Sequence, residues 1–259
     1  MNKLAVALLV TFCFSSPAIA GDFADGLTAQ QIIDKVLDGD SMGFSEGFAT
    51  TRLVIQNKRG QERVRTVEAK SIKVDGNSWT LVTFLEPADV AGTKLLAKEV
   101  KGGDDKQYLY LPALKEKRQI AGSEKNESFM GTDFTYYDME QRGMDDAEFK
   151  RLADTKHSGI DCYRVDSFPK DKDSPYSKEE MWIDKTDFLP LKAYFYDKKG
   201  NHFKTMVAQM VETIDGKVTI TKLMMKNLKK GSKTTMFIED MDRSKTYPKS
   251  VFDDNKLDK

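Results

Sequence analysis

The sequence predicts a mainly β protein: an antiparallel sheet or barrel with one helix near its start and an irregular lid in its middle. Three observations predict it. About a dozen segments alternate apolar and polar residues at period two, turns of the hairpin type separate most of them, and one aromatic-rich stretch keeps no period at all.

The elements follow in order. From Ala29 to Leu37 the apolar residues Ile32, Ile33, Val36 and Leu37 have helical spacing, with Thr28 placed as N-cap and Gly39 as the stop. Period two then takes over at Phe48 to Gln56, Val64 to Val74, Trp79 to Leu85, Thr93 to Val100, Gln107 to Leu111 and Lys117 to Ile120. It resumes at Tyr163 to Phe168, Lys178 to Ile183, Leu191 to Tyr196, Phe203 to Ile214, Lys217 to Leu228 and Thr234 to Glu239. Asp75-Gly76 and Asp215-Gly216 sit between alternating runs, a pairing that favours two-residue hairpin turns because both residues tolerate positive φ. Pro169 to Ser177, polar and holding two prolines, reads as a long exposed loop. Gly122 to Phe149 sets Phe129, Met130, Phe134, Tyr136, Tyr137 and Met139 among carboxylates, and reads as short helical turns laid as a lid over the sheet.

The first twenty residues read as a cleaved secretory signal. Lys3 supplies a positive start, Leu4 to Phe14 an apolar run too short to span a membrane, and Ala18-Ile19-Ala20 a small-residue cleavage site. The expected mature chain, residues 21–259, is a single soluble domain in the periplasm. Losing Lys3 from 41 basic residues against 41 acidic ones leaves it one net negative charge, which argues against nucleic-acid binding. Cys162 is then its one cysteine, so no internal disulfide is possible, and its apolar setting reads as a buried, inert thiol.

No pattern for an enzyme, metal or cofactor site emerges. His157 and His202 have no ligand-spaced partners and read as solvated turn residues, and neither a glycine-rich phosphate loop nor a nucleophile elbow is present. Asp133, Asp138, Glu140, Asp145 and Asp146 form a carboxylate cluster whose ordinary roles are helix capping and surface solvation, and a hydrolase using Asp133, Asp138 and Glu140 is the last of three functional readings. The 12 Met, 15 Phe, 9 Tyr and 2 Trp are a large adaptable apolar inventory in a chain that is 32% charged. A curved sheet this long has more concave surface than one helix and one lid can fill, which leaves room for a cavity.

Two stretches carry a resemblance. One is Leu111-Pro112-Ala113-Leu114-Lys115 through Arg118-Gln119-Ile120 to Ser128-Phe129-Met130-Gly131-Thr132-Asp133-Phe134-Thr135-Tyr136. The other is Met181-Trp182-Ile183-Asp184, then Leu189-Pro190-Leu191-Lys192 and Tyr196-Asp197-Lys198-Lys199-Gly200. With the signal and the strand order, they make the chain resemble the outer-membrane lipoprotein-sorting family, most closely the LolA-like branch that often accompanies RND- or MMPL-type exporters. The resemblance implies a half-open β-barrel closed by helices. It also implies a hydrophobic cavity for acyl chains of a lipid or lipidated protein, with no catalysis and no cofactor, in a monomer served by an inner-membrane transporter. An adaptor holding such an exporter through protein contacts is the second reading. Phe129, Met130, Phe134 and Tyr136 are the expected lid residues. Trp79, Leu81, Leu85, Tyr108, Tyr110, Trp182, Tyr194 and Met224 are the expected concave-face residues, on an alternation in which a one-residue slip would reverse every side chain. Arg52 and Arg65 match a family arginine only by rough position and are read as exposed strand residues.

Overall fold

The computed structural model describes residues 23–258 apart from 24, 40–44, 101, 102, 104 and 141–145. The signal segment 1–20 and Asp145 of the carboxylate cluster lie outside the described residues.

Helix α1 (Ala29–Asp38) begins with a full capping box: Thr28 accepts from the Gln31 backbone N–H, and the Gln31 side chain accepts from the Thr28 N–H. Thirteen strands follow: β1 (Gly47–Gln56), β2 (Glu62–Val74), β3 (Asn77–Glu86), β4 (Lys94–Lys98), β5 (Lys106–Leu111), β6 (Glu116–Ile120), β7 (Ala147–His157), β8 (Ile160–Pro169), β9 (Lys178–Asp184), β10 (Pro190–Tyr196), β11 (His202–Ile214), β12 (Lys217–Asn227) and β13 (Ser232–Asp242). All pair antiparallel in one sheet, ordered β6-β5-β4-β3-β2-β1-β13-β12-β11-β10-β9-β8-β7. Two meanders thus meet at the β1–β13 ladder, and β6 and β7 remain as the two edges of a curved, unclosed sheet. Asp75-Gly76 and Asp215-Gly216 take the positive φ values their hairpins require.

Strand β7 is absent from the sequence reading. It is an edge strand with a single buried position, so the half-buried alternation that marks a strand is faint, and a register slip between Leu152 and Thr155 interrupts it further.

The stretch after β6 turns inward. Three single turns of 3-10 helix, Gly122–Asn126, Phe129–Gly131 and Tyr137–Met139, run over the inner face. Phe129 and Tyr136 pack there on Leu53, Val67, Phe84, Leu95 and Leu109, filling the β1–β5 half of the curve. The outer face of that half is covered as well: Phe252 and Leu257, near the C-terminus, are buried against Leu81, Leu96 and Tyr110. Among the described residues no helix is long and apolar enough to cross a membrane.

Candidate functional site

The other half of the curve is filled only in part, by Phe134, Tyr137 and Tyr176 packed on β10–β12. Between α1, the end of the lid and the inner face of β7–β13 lies a cavity of about 420 Å³, within the roughly 300–1,000 Å³ usual for small-molecule sites. Register explains its wall. One cross-strand row runs Val165, Met181, Ala193, Met206, Met225 and Thr234, and a second runs Leu53, Met236, Leu223 and Ala208. Five methionines, Met139, Met181, Met206, Met225 and Met236, line the space; their unbranched, polarisable side chains adapt to irregular apolar partners.

Two devices hold the roof. Helix α1 seats Ala29, Ile32 and Ile33 on Tyr163, Val165 and Ile183, leaving Val36 and Leu37 at the cavity. Arg151 fixes its start by donating to Asp25 (2.6 and 2.9 Å), to Asp154 (3.0 Å) and to the Leu27 carbonyl. This holds the Asp25 carboxyl far below the usual carboxylate range.

The lid is tied at four places. Arg65 donates to the Met130 carbonyl, where Met130 and Gly131 both take positive φ. The Gln107 amide donates to the Tyr136 carbonyl at 2.8 Å. Asp133 accepts from Ser232 Oγ and from Thr234 Oγ1 (2.9 Å), and its own N–H donates to Thr234 Oγ1 (2.9 Å). Asp138 accepts from Tyr176 Oη (2.6 Å) and Lys204 Nζ (3.3 Å). Within the lid itself, Glu140 pairs with Lys125 at 2.6 Å. Beside that pair, burial pushes Asp105 up to about 7, with the nearby Glu140 and Glu99 charges adding to the effect.

The expected site residues divide accordingly. Phe134 lines the cavity; Phe129 and Tyr136 are buried in the filled half, with Met130 at the turn between them and packed on the same cluster. The expected concave-face set needs correction, because the structure puts it on the opposite face. Trp79, Leu81, Tyr108 and Tyr110 lie beneath the C-terminal turns, and Leu85 is exposed. Trp182 and Met224 belong to the outer row Arg164, Trp182, Lys192, Val207, Met224 and Thr235, and Tyr194 packs edge-on to Trp182. Both faces of these strands are largely covered, so hydrophobicity alone does not separate them. Trp182 and Tyr194 take the outer face, where Lys192 sits over both rings.

Three further readings change. Arg65 is buried rather than exposed, sharing a register row with Leu53 and Met236, and its burial lowers its proton affinity. Arg52 points outward to Glu239 and Phe237. The loop 169–177 carries Tyr176, fully buried against Phe195 and Tyr137, so it is not simply exposed, and His202 packs on Tyr194 rather than standing in solvent. Cys162 is buried and free, and burial pushes its thiol up. Of the residues that wall the cavity but were missed, Met181, Phe195 and Met225 are one step in parity from Trp182, Tyr194 and Met224, while Phe149 lies on β7 and Met206 on β11, where no site residue was expected.

A family model described as "Uncharacterized protein" matches residues 76–259. Among solved structures, the chain is similar to an outer membrane lipoprotein-sorting protein domain from Vibrio parahaemolyticus, with 30% identity over 89% of this chain and 98% of that one and a TM-score of 0.83. It is also similar to a DUF1329 family protein from Desulfovibrio piger, with 28% identity, 89% and 99% coverage and a TM-score of 0.80. A LolA superfamily protein from Nitrosomonas europaea shares the fold at 20% identity, 88% and 98% coverage and a TM-score of 0.71. A search of curated proteins finds no match. The unclosed antiparallel curve and its inward lid are the fold of the LolA superfamily structure, and the 30% identical relative places the chain in the outer-membrane lipoprotein-sorting family.

Proposed function

We propose that the protein is a non-enzymatic periplasmic carrier that takes the acyl chains of a lipid or lipidated protein into the cavity and shields them from water on the way toward the outer membrane. The observation that carries this reading is the asymmetry of the curve: one half is packed solid by the lid, while the other is left as a methionine-rich space between α1 and the lid's end. Transferring an alkyl chain there gains about 0.8 kcal/mol per buried methylene. That is ample driving force for uptake, so release needs a partner that competes for the chain or opens the roof. An inner-membrane RND- or MMPL-type exporter is the proposed source of cargo. The carboxylates once considered for hydrolysis serve here as anchors: Asp133 ties the lid to β13, and Asp138 is held by Lys204 and Tyr176.

Native mass spectrometry of residues 21–259, purified from periplasm and followed by solvent extraction, tests the reading. A defined acylated adduct is the expected result. A chain absent from the periplasm, or a clean apo mass together with no uptake of an uncharged fluorescent lipid probe, overturns it in favour of an adaptor acting through protein contacts.

A further inference from the structure

The hairpins β1–β2, β12–β13 and β10–β11 turn at the same end of the sheet, because β1, β13, β12, β11 and β10 are consecutive antiparallel neighbours. Their tips adjoin: a Cβ on Gly231 would lie 3.3 Å from the Lys58 Cβ, and Lys229 pairs with Asp197. Residues 57–61, 197–201 and 228–231 carry six cations, Lys58, Arg59, Lys198, Lys199, Lys229 and Lys230, against one carboxylate, Asp197, and all six cations are exposed. Lys229 is engaged by Asp197 and Lys198 by the Tyr176 carbonyl, but among the described residues no ion pair holds Lys58, Arg59, Lys199 or Lys230. The β2–β3 and β11–β12 tips, at the other end, carry Asp75 and Asp215 and no cation. The whole chain has 41 basic and 41 acidic residues, so the basic end is a local concentration of charge.

A second observation is independent of charge. Leu114, at the tip of the β5–β6 hairpin, lies at this same end and is 65% exposed, the most of the described large hydrophobic residues. Leu228 stands at the β12–β13 tip beside Lys229, 43% exposed. Leucines raised on a lysine-rich edge suit the interface of a bilayer: the apolar side chain enters the boundary between head groups and acyl chains, while the lysines stay at the phosphates. A soluble polyanion would pair with the lysines and leave the leucines in water.

We propose that this end of the sheet docks the protein on a bilayer surface rich in anionic phospholipids, with the basic hairpin tips at the phosphates and Leu114 and Leu228 among the head groups. The proposal goes beyond the carrier reading and does not use the cavity. Strand β11, 13 residues long, separates the two ends by about 40 Å along its length. The Debye length is about 10 Å at 0.1 M salt, so the carboxylates at the far end do not oppose docking.

The test is flotation of residues 21–259 with vesicles of equal parts phosphatidylglycerol and phosphatidylcholine, and with vesicles of phosphatidylcholine alone. Binding to the first and about a hundredfold less to the second is expected, with release as salt rises from about 0.1 M to about 1 M. Each basic side chain near such a surface strengthens binding about fivefold. Lys58→Gln with Lys230→Gln is therefore expected to weaken it about twentyfold. Lys73→Gln with Lys217→Gln, the same charge change at the other end of the strands, is expected to leave it unchanged. Leu114→Ser with Leu228→Ser is expected to weaken binding several-fold and keep its salt dependence. No binding to the anionic vesicles overturns the proposal in favour of an acidic protein partner. Equal binding to both compositions, or equal loss from the two lysine pairs, overturns it as well. None of these outcomes touches the carrier reading, whose own test is uptake of an acyl chain.

Discussion

Asp133 gives the sharpest handle on the lid. It is 4% exposed, accepts from two hydroxyls of β13 and donates its own N–H back to Thr234. Hydrogen bonds to a charged group contribute about 1.5–3 kcal/mol each. Asp133→Ala removes two of them and strands the Ser232 and Thr234 hydroxyls, so lid closure loses about 3 kcal/mol or more. On the carrier account spontaneous release is limited by parting the lid from β13, and about 3 kcal/mol corresponds to a dissociation rate raised about a hundredfold. Stopped-flow release of a bound fluorescent lipid measures that rate, with circular dichroism confirming that the sheet is intact. Thr234→Val alone should also speed release. The double variant should fall short of the sum of the two, because the pair shares one contact. Unchanged release from a folded Asp133→Ala protein, or full additivity with Thr234→Val, refutes the reasoning.

Further outcomes follow from the same geometry. Met206→Gln, which puts an amide into the cavity wall at near-constant size, should weaken uptake of an uncharged lipid probe about tenfold, since an unpartnered buried amide costs about 1–3 kcal/mol; Tyr194→Gln on the opposite face should not, and the reverse ranking in a titration would overturn the parity assigned to β10 and β11. Asp105 is raised to about 7 in the folded chain, above its unfolded value of about 3.9. It therefore binds a proton more tightly when folded, and its contribution is lost as pH rises through about 7. Asp105→Asn should accordingly raise the Tm at pH 8 and have progressively less effect toward pH 5, and a Tm gain independent of pH would contradict this. Phe252→Ala, which empties a fully buried site beneath the outer face, should lower unfolding free energy by about 3–5 kcal/mol in urea titrations without changing lipid affinity at temperatures where the protein stays folded.

Much of the fold was legible because local chemistry and tertiary structure agree. The Thr28 N-cap, the stop at Gly39 and the Asp-Gly hairpins are chain-local signals, and each sits where the sequence places it. Strand β7 was not legible, because Arg151 is its one buried residue and a register slip interrupts its alternation. The cavity wall failed for a different reason. Along Leu191 to Tyr196, both Tyr194 and Phe195 look like core residues, and only the covering of each face by α1, the lid and the C-terminal turns decides which one is inside. On β9 and β10 aromatic type carried a clue: Met181 and Phe195 line the hollow, while Trp182 and Tyr194 take the outer face beside Lys192. Arg65 and Tyr176 were invisible for a related reason, since each is buried by a segment distant in sequence.

Photo-crosslinking tests the central claim most directly. Residues 21–259 would be loaded with an uncharged alkyl alcohol carrying a diazirine on its chain, irradiated, digested and mapped by mass spectrometry. The account predicts labels on the inner row Met181, Met206 and Met225, with Phe195 and the α1 residues Val36 and Leu37. Labels gathered instead on Trp79, Trp182, Tyr194 or Met224, on the opposite face of the sheet, would contradict it.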